Sequence, residues 1–184
     1  MSITGIVARW RVRAGYALAL AVLWFARPTL HSIAFGAAIG LVGLAVRAYA
    51  AGYLQKQDVL TVAGPYAHTR NPLYLGSSIL ALGAAVATHS WISAAILLFY
   101  FAIVYSVVMR REAEELRGHH GAAFEEYARS VPAFFPRLTA ARLSAGGSGA
   151  FSMSQYRKNH EYEAAIGYLV LLVVLAILWR WPLH

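Results

Sequence analysis

PLYLGSSILALGAAVAT (residues 72–88), His89-Ser90, WISAAILLFYFAIVYSVVM (residues 91–109): two apolar runs are separated by two polar residues, and neither run holds a charge. A helix needs about 20 residues to cross the roughly 30 Å hydrocarbon layer of a bilayer. Each run is close to that length, with polar flanks able to sit among headgroups. A two-residue connection leaves no path but straight back, so the pair reads as a tight antiparallel hairpin of membrane helices.

The rest of the chain agrees. Of 184 residues, 59% are hydrophobic and 13% charged, against about 45–50% and about 25% in a soluble domain. A chain this short has too little interior for that apolar excess, and a bilayer supplies the missing solvent. Further spans read from about Gly15 to Ala26, Leu30 to Tyr53, and Ala164 to Trp179. The first follows Arg9, Arg11 and Arg13 and resembles a signal peptide, but bulky Trp24 and Phe25 followed by Arg27-Pro28 make a poor small-residue cleavage site; it reads as a span, with a re-entrant or interfacial helix as the alternative. The expected fold class is therefore all-α: a polytopic integral membrane protein of about five transmembrane helices, with the hairpin at its centre.

Charge sets the expected orientation. With the N-terminus inside, all of the 16 Lys and Arg residues except Arg27 and Arg180 fall in cytosolic segments, as the positive-inside rule requires. The net charge of +8 then has a topological cause, and nucleic-acid binding is not implied. No cysteine is present, which excludes disulfides, thiolate metal sites and a cysteine nucleophile. His119-His120 is adjacent rather than i,i+4, and there is no His-Glu-x-x-His, so no metal site is expected. No P-loop or dinucleotide fingerprint is present either.

Two cytosolic segments carry candidate chemistry. In Asp58 to Gly76, Gly64-Pro65 reads as a turn, and Asn71-Pro72 as an N-cap with proline at the first helical position. A helix start there offers free amides to an anion, with His68 and Arg70 beside it. The second segment, Met109 to Leu138, prolongs the hairpin's second helix into the cytosol. Helical spacing pairs Arg110 with Glu114 and Arg111 with Glu115. Glu112 has Val108, Met109 and Leu116 as neighbours and no local cation. A carboxylate on a greasy face at the membrane boundary needs a partner from elsewhere, either loop Arg70 or a cationic ligand. Phe134-Phe135, between Pro132 and Pro136, reads as an interfacial anchor. Gly36, Gly40 and Gly43 permit close helix approach, as packing within the chain in preference to a homodimer seam.

Domain organisation reads as a core over 1–138 with its motifs in 53–138, a flexible linker over 139–150, and an appended polar segment and C-terminal helix over 151–184.

Gly64-Pro65-Tyr66, Arg70-Asn71-Pro72-Leu73-Tyr74-Leu75-Gly76, the hairpin, Glu112, and the tail Gly121, Tyr127, Val131-Pro132, Pro136 together resemble the isoprenylcysteine carboxyl methyltransferase and phospholipid methyltransferase group. The resemblance covers residues 53–138. It implies S-adenosylmethionine as cofactor in a cytosol-facing pocket capped by these segments. By position, the implied cofactor contacts are Lys56, Asp58, Val59, Leu60, Thr61, Tyr66, Asn71, Pro72, Leu73, Tyr74 and Glu112; the implied catalytic residues are Glu112, Arg70 and Arg111. It also implies a lipid or prenylated amphiphile arriving sideways from the bilayer, most like isoprenylcysteine α-carboxyl O-methylation, with phospholipid amine N-methylation as the alternative. The expected location is the inner membrane of a bacterium or the endoplasmic reticulum of a eukaryote, with a cytosolic site. Three positions depart from the pattern: Asn71 stands where histidine is usual, Ala113 where a second glutamate is, and Val108 where a substrate arginine lies.

Rival classes are a membrane reductase using NADPH, a small transporter, and a non-catalytic membrane scaffold. The first would want more phosphate-binding cations in the loop; the second would want charges in mid-span. Reporter fusions at Ser2 and His184 are expected to report opposite sides of the membrane, Ser2 cytosolic; equal sidedness would overturn the five-span arrangement.

Overall fold

A computed structural model of the chain describes residues 17–55, 59–143 and 149–183, and these are helical with connecting loops. The helices are α1 (residues 17–25), α2 (Leu30–Tyr53), α3 (Pro72–Thr88), α4 (Trp91–His120), α5 (Ala122–Ser130), α6 (Met153–Lys158) and α7 (Tyr162–Arg180). Among the described residues α2, α4 and α7 are long and apolar enough to cross a membrane, and α3 is a shorter apolar helix. The all-helical, polytopic membrane fold is as expected. Large apolar side chains such as Leu98, Phe99, Ile103 and Val107 of α4 face outward, where lipid is the natural solvent.

The hairpin turn is as tight as the sequence requires. His89 closes α3 in the left-handed region at φ 49°, its amide donating to the Val86 carbonyl at 3.1 Å. Ser90 caps α4 by accepting from the Ser93 amide. α2 begins with a reciprocal box in which the Thr29 and Ser32 side chains each accept the other's backbone amide.

α2 and α3 make the closest pairing, and glycine is the reason. A Cβ on Gly36 would lie 2.5 Å from the Gly83 carbonyl oxygen, and one on Gly43 would lie 2.7 Å from that of Gly76. The third glycine receives α7: the Tyr168 ring would sit 2.1 Å from a Cβ on Gly40, and its hydroxyl donates to the Gly36 carbonyl at 2.8 Å. The glycine stripe thus packs within one chain, and α7, expected as an addition to the core, is wedged into it.

The first expected span needs qualification. Its described part, residues 17–25, is about 14 Å long at 1.5 Å per residue, short of a crossing. It packs against the hairpin turn, with the Ser93 hydroxyl donating to the Val22 carbonyl at 2.8 Å and the Arg27 amide to the Thr88 carbonyl at 2.8 Å. In the expected linker, Ala141 and Leu143 pack against the core beneath the loop that precedes α3, while residues 144–148 lie outside the described residues.

Gly40→Ala drives a methyl into the Tyr168 ring and is expected to cost about 1–3 kcal/mol, read as a lowered thermal midpoint in detergent. Gly118→Ala, with nothing within 4 Å of the new carbon, is expected to gain up to about 1 kcal/mol from helix propensity.

Candidate active site

The loop before α3 and the tail after α5 are zipped together. The Arg70 amide donates to the Pro132 carbonyl at 2.9 Å, the Arg137 amide to the His68 carbonyl at 3.0 Å, and the Ala141 amide to the Ala67 carbonyl at 2.9 Å. Side chains add to this. His68 Nδ1 is 2.8 Å from the Arg137 carbonyl, the Thr69 hydroxyl donates to the Phe134 carbonyl at 2.9 Å, and the buried Tyr127 hydroxyl donates to the Tyr66 carbonyl at 2.8 Å. Leu60, Val62, Phe124, Tyr127 and Val131 form the apolar core beneath. The turn itself needs glycine: Gly64 has φ 58°, and a Cβ there would meet the Tyr53 ring at 2.6 Å. A carbonyl network of this kind fixes the loop because each satisfied buried bond avoids a desolvation loss of about 1–3 kcal/mol.

This zip holds Tyr66 in place. Its residue is 7% exposed, and its hydroxyl is buried without a hydrogen-bond partner. Burial pushes the phenol far above its ordinary value, and the nearby Glu112 carboxylate pushes it further, so Tyr66 is a neutral donor at all physiological pH. Glu112 is also near the Tyr74 phenol, and Tyr74 packs on Tyr105 with ring centroids 5.1 Å apart. Glu112, Tyr66 and Tyr74 are therefore brought together, from α4, the loop and the first turn of α3.

The other expected site residues have different positions. Lys56 and Asp58 lie outside the described residues. Val59 is exposed, and Leu60 is committed to the core beneath the loop. The Thr61 hydroxyl accepts from the Gln55 amide at 3.1 Å. Pro72 is buried at the start of α3, with Leu73 half-buried after it. Asn71 occupies the N-cap position but does not cap with its side chain, which donates to the Ala133 carbonyl at 2.8 Å. Its use is to tie helix to tail. Arg70 does not meet Glu112. Its guanidinium lies over the Phe124 ring at 5.8 Å, its Nε is buried without a partner, and burial lowers its pKa. Arg111 is exposed. The expected Arg110–Glu114 and Arg111–Glu115 pairs are not formed; Arg110 folds back on the Ser106 carbonyl at 3.1 Å, while Arg117 pairs with Glu125 at 2.5 Å. Exposed pairs of this kind gain about 0–1 kcal/mol, too little to impose one geometry.

Sequence reasoning missed Arg47, Ser77, Tyr105 and Glu161. Arg47 in α2 donates through Nε to Glu161, just before α7, and through Nη1 to the Ser77 hydroxyl and the Leu73 carbonyl. Ser77 is also within hydrogen-bonding reach of Tyr105. An arginine six residues inside the end of an apolar helix was the available signal.

Residues 10–123 match the phospholipid methyltransferase family. The chain belongs to that family. Among curated proteins it is 36% identical over 107 residues to a nickel-cobalt-cadmium resistance protein of Alcaligenes xylosoxydans, covering 55% of this chain and 50% of the relative. It is 34% identical over 140 residues to a cobalt-zinc-cadmium resistance protein of Cupriavidus metallidurans, covering 71% of this chain and 63% of the relative. The chain thus spans between half and two thirds of the length of these relatives. No solved structure matches. Among the described residues no three His, Asp or Glu side chains are grouped to hold a metal ion.

Tyr127→Phe removes the donor to the Tyr66 carbonyl and is expected to cost about 1 kcal/mol of stability. Tyr66→Phe removes a hydroxyl that bonds to no described residue and is expected to leave the ligand-free thermal midpoint unchanged or raised. A large loss in Tyr66→Phe would mean that its hydroxyl has a structural partner.

Proposed function

We propose that this protein transfers a methyl group from S-adenosylmethionine to a membrane-embedded amphiphile at a cytosol-facing site, most like isoprenylcysteine α-carboxyl O-methylation. The observation that carries the reading is the convergence of Glu112, the unpartnered Tyr66 hydroxyl and Tyr74 at the first turn of α3.

The residues fit such a cofactor. It presents an ammonium and a sulfonium, a carboxylate, and sugar and base groups able to hydrogen-bond. Glu112 suits the ammonium or the ribose hydroxyls. The Tyr66 hydroxyl, already stripped of water, supplies a donor with no competing acceptor. The Leu73 and Tyr74 amides lie in the first turn of α3, where no intrahelical acceptor exists, and that positive end of the helix suits a carboxylate. An aromatic face beside a cation contributes about 0.5–2 kcal/mol, a role for Tyr74.

The cofactor supplies a methyl group already activated on positively charged sulfur. The protein's work is then to align two partners and keep water out. Held by Glu112, Tyr66 and Tyr74, the cofactor would supply that methyl to a carboxylate oxygen of the acceptor, which would lose its negative charge in becoming an ester. No proton has to move, so the site needs no general base. The acceptor's tail stays in lipid along the outward face of α4.

Calorimetry on the folded protein in nanodiscs is expected to show S-adenosylhomocysteine binding at micromolar level, about −8 kcal/mol. Glu112→Gln is expected to weaken it by about 1.5–3 kcal/mol, while Glu114→Gln and Glu115→Gln change it by about 0.5 kcal/mol or less. Equal losses across the three glutamates, or no heat with the parent protein, would overturn the reading.

A further inference from the structure

The Arg47 junction lies next to the proposed cofactor site but plays no part in it. The guanidinium is only 22% exposed and its carboxylate partner Glu161 only 6%. Glu161 bonds to Nε alone, and Nη1 is spent on Ser77 and the Leu73 carbonyl. Nη2 makes no hydrogen bond to a described residue. The Nε–Nη2 edge of a guanidinium is the edge that takes both oxygens of a carboxylate in parallel, the strongest form of this contact. Glu161 therefore occupies a fork that a better-aligned carboxylate would fill more completely.

The junction is also near the reacting centre. Arg47 reaches the Leu73 carbonyl in the first turn of α3, one residue before Tyr74. Displacing the Glu161 side chain takes nothing from the start of α7, which it does not cap.

We propose that Arg47 anchors the carboxylate of the methyl acceptor, and that Glu161 is its resident substitute, displaced when acceptor binds. This rests on the methyltransferase reading of the adjoining site and names the acceptor as an amphiphile with a free carboxylate. The chemistry makes the exchange directional. The acceptor arrives as an anion and competes with Glu161; methylation turns its carboxylate into a neutral ester that has no claim on a guanidinium. Glu161 then returns to Arg47 and the product is left with only its apolar tail to hold it, facing lipid.

The test uses the full chain in nanodiscs, with an N-acylated S-farnesyl cysteine and its carboxamide as probes, and binding is read without methyl donor. The parent is expected to prefer the carboxylate probe. Glu161→Gln is expected to bind it about tenfold tighter, with S-adenosylhomocysteine affinity within about twofold of the parent. The double variant Arg47→Gln with Glu161→Gln buries no unpaired charge; it is expected to bind carboxylate and carboxamide probes alike. A double variant that keeps the carboxylate preference, a parent that shows none, or a folded Glu161→Gln that binds no tighter would reduce the pair to a structural brace and overturn the proposal. If Glu161→Gln does not fold, the parent and the double variant decide between the same outcomes. Absence of S-adenosylhomocysteine binding in the parent would sink the methyltransferase reading separately, since the anchor is measured without it.

Discussion

The backbone contact between α2 and α3 is the constraint on which the rest is built. Gly36 against Gly83 and Gly43 against Gly76 bring two helices together with no side chain between them. In a bilayer, apolar surface gains little by leaving lipid for protein, so close packing and interhelical polar contacts must supply the association. That closeness lets Arg47 of one helix reach Ser77 and Leu73 of the other. It also leaves the groove over Gly40 that Tyr168 fills, which fixes α7 and with it Glu161.

A second constraint operates outside the hydrophobic layer. The loop before α3 and the tail after α5 have no regular secondary structure of sufficient length to satisfy their own backbone groups, so they satisfy each other. Among the described residues two buried polar groups are left over, the Nε of Arg70 and the hydroxyl of Tyr66. The Tyr66 carbonyl is taken by Tyr127 and its ring is packed, yet its hydroxyl is buried without a partner next to Glu112. A polar group in that state is costly in the free protein and points to a ligand that completes it. Family membership and this orphaned donor both support the proposed site.

Much of this was legible in the sequence wherever a local pattern carried it. The hairpin followed from two uncharged runs and a two-residue join. The glycine seam followed from spacing, and Glu112 stood out because helical periodicity surrounded it with apolar neighbours. What local pattern could not give was partnership across distance. Asn71 has the residue type and position of a cap, but its amide is more useful to the Ala133 carbonyl, a choice made by tertiary structure. Arg70 was a reasonable partner for Glu112 by proximity to the membrane boundary; the aromatic face of Phe124 takes it instead. Arg47 and Glu161 are separated by 114 positions, and no periodicity links an arginine in one span to a glutamate ahead of another.

That separation bears on how the protein is made. α2 enters the membrane carrying Arg47, and its counter-charge is synthesised 114 residues later. At roughly 5–20 residues per second this is on the order of ten seconds, during which the guanidinium can meet Ser77 and the Leu73 carbonyl of α3 but not its carboxylate. An arginine at the centre of an inserting helix costs about 2.5–3.5 kcal/mol. Its place near the C-terminal end of α2 lets the long side chain reach the interface and lowers that cost. The early bundle is thus held provisionally, with its charge drawn outward, until the last helix arrives and pulls it in. A chain cut short of Glu161 would keep α2 and α3 together through their glycines but leave the Arg47 charge without its carboxylate.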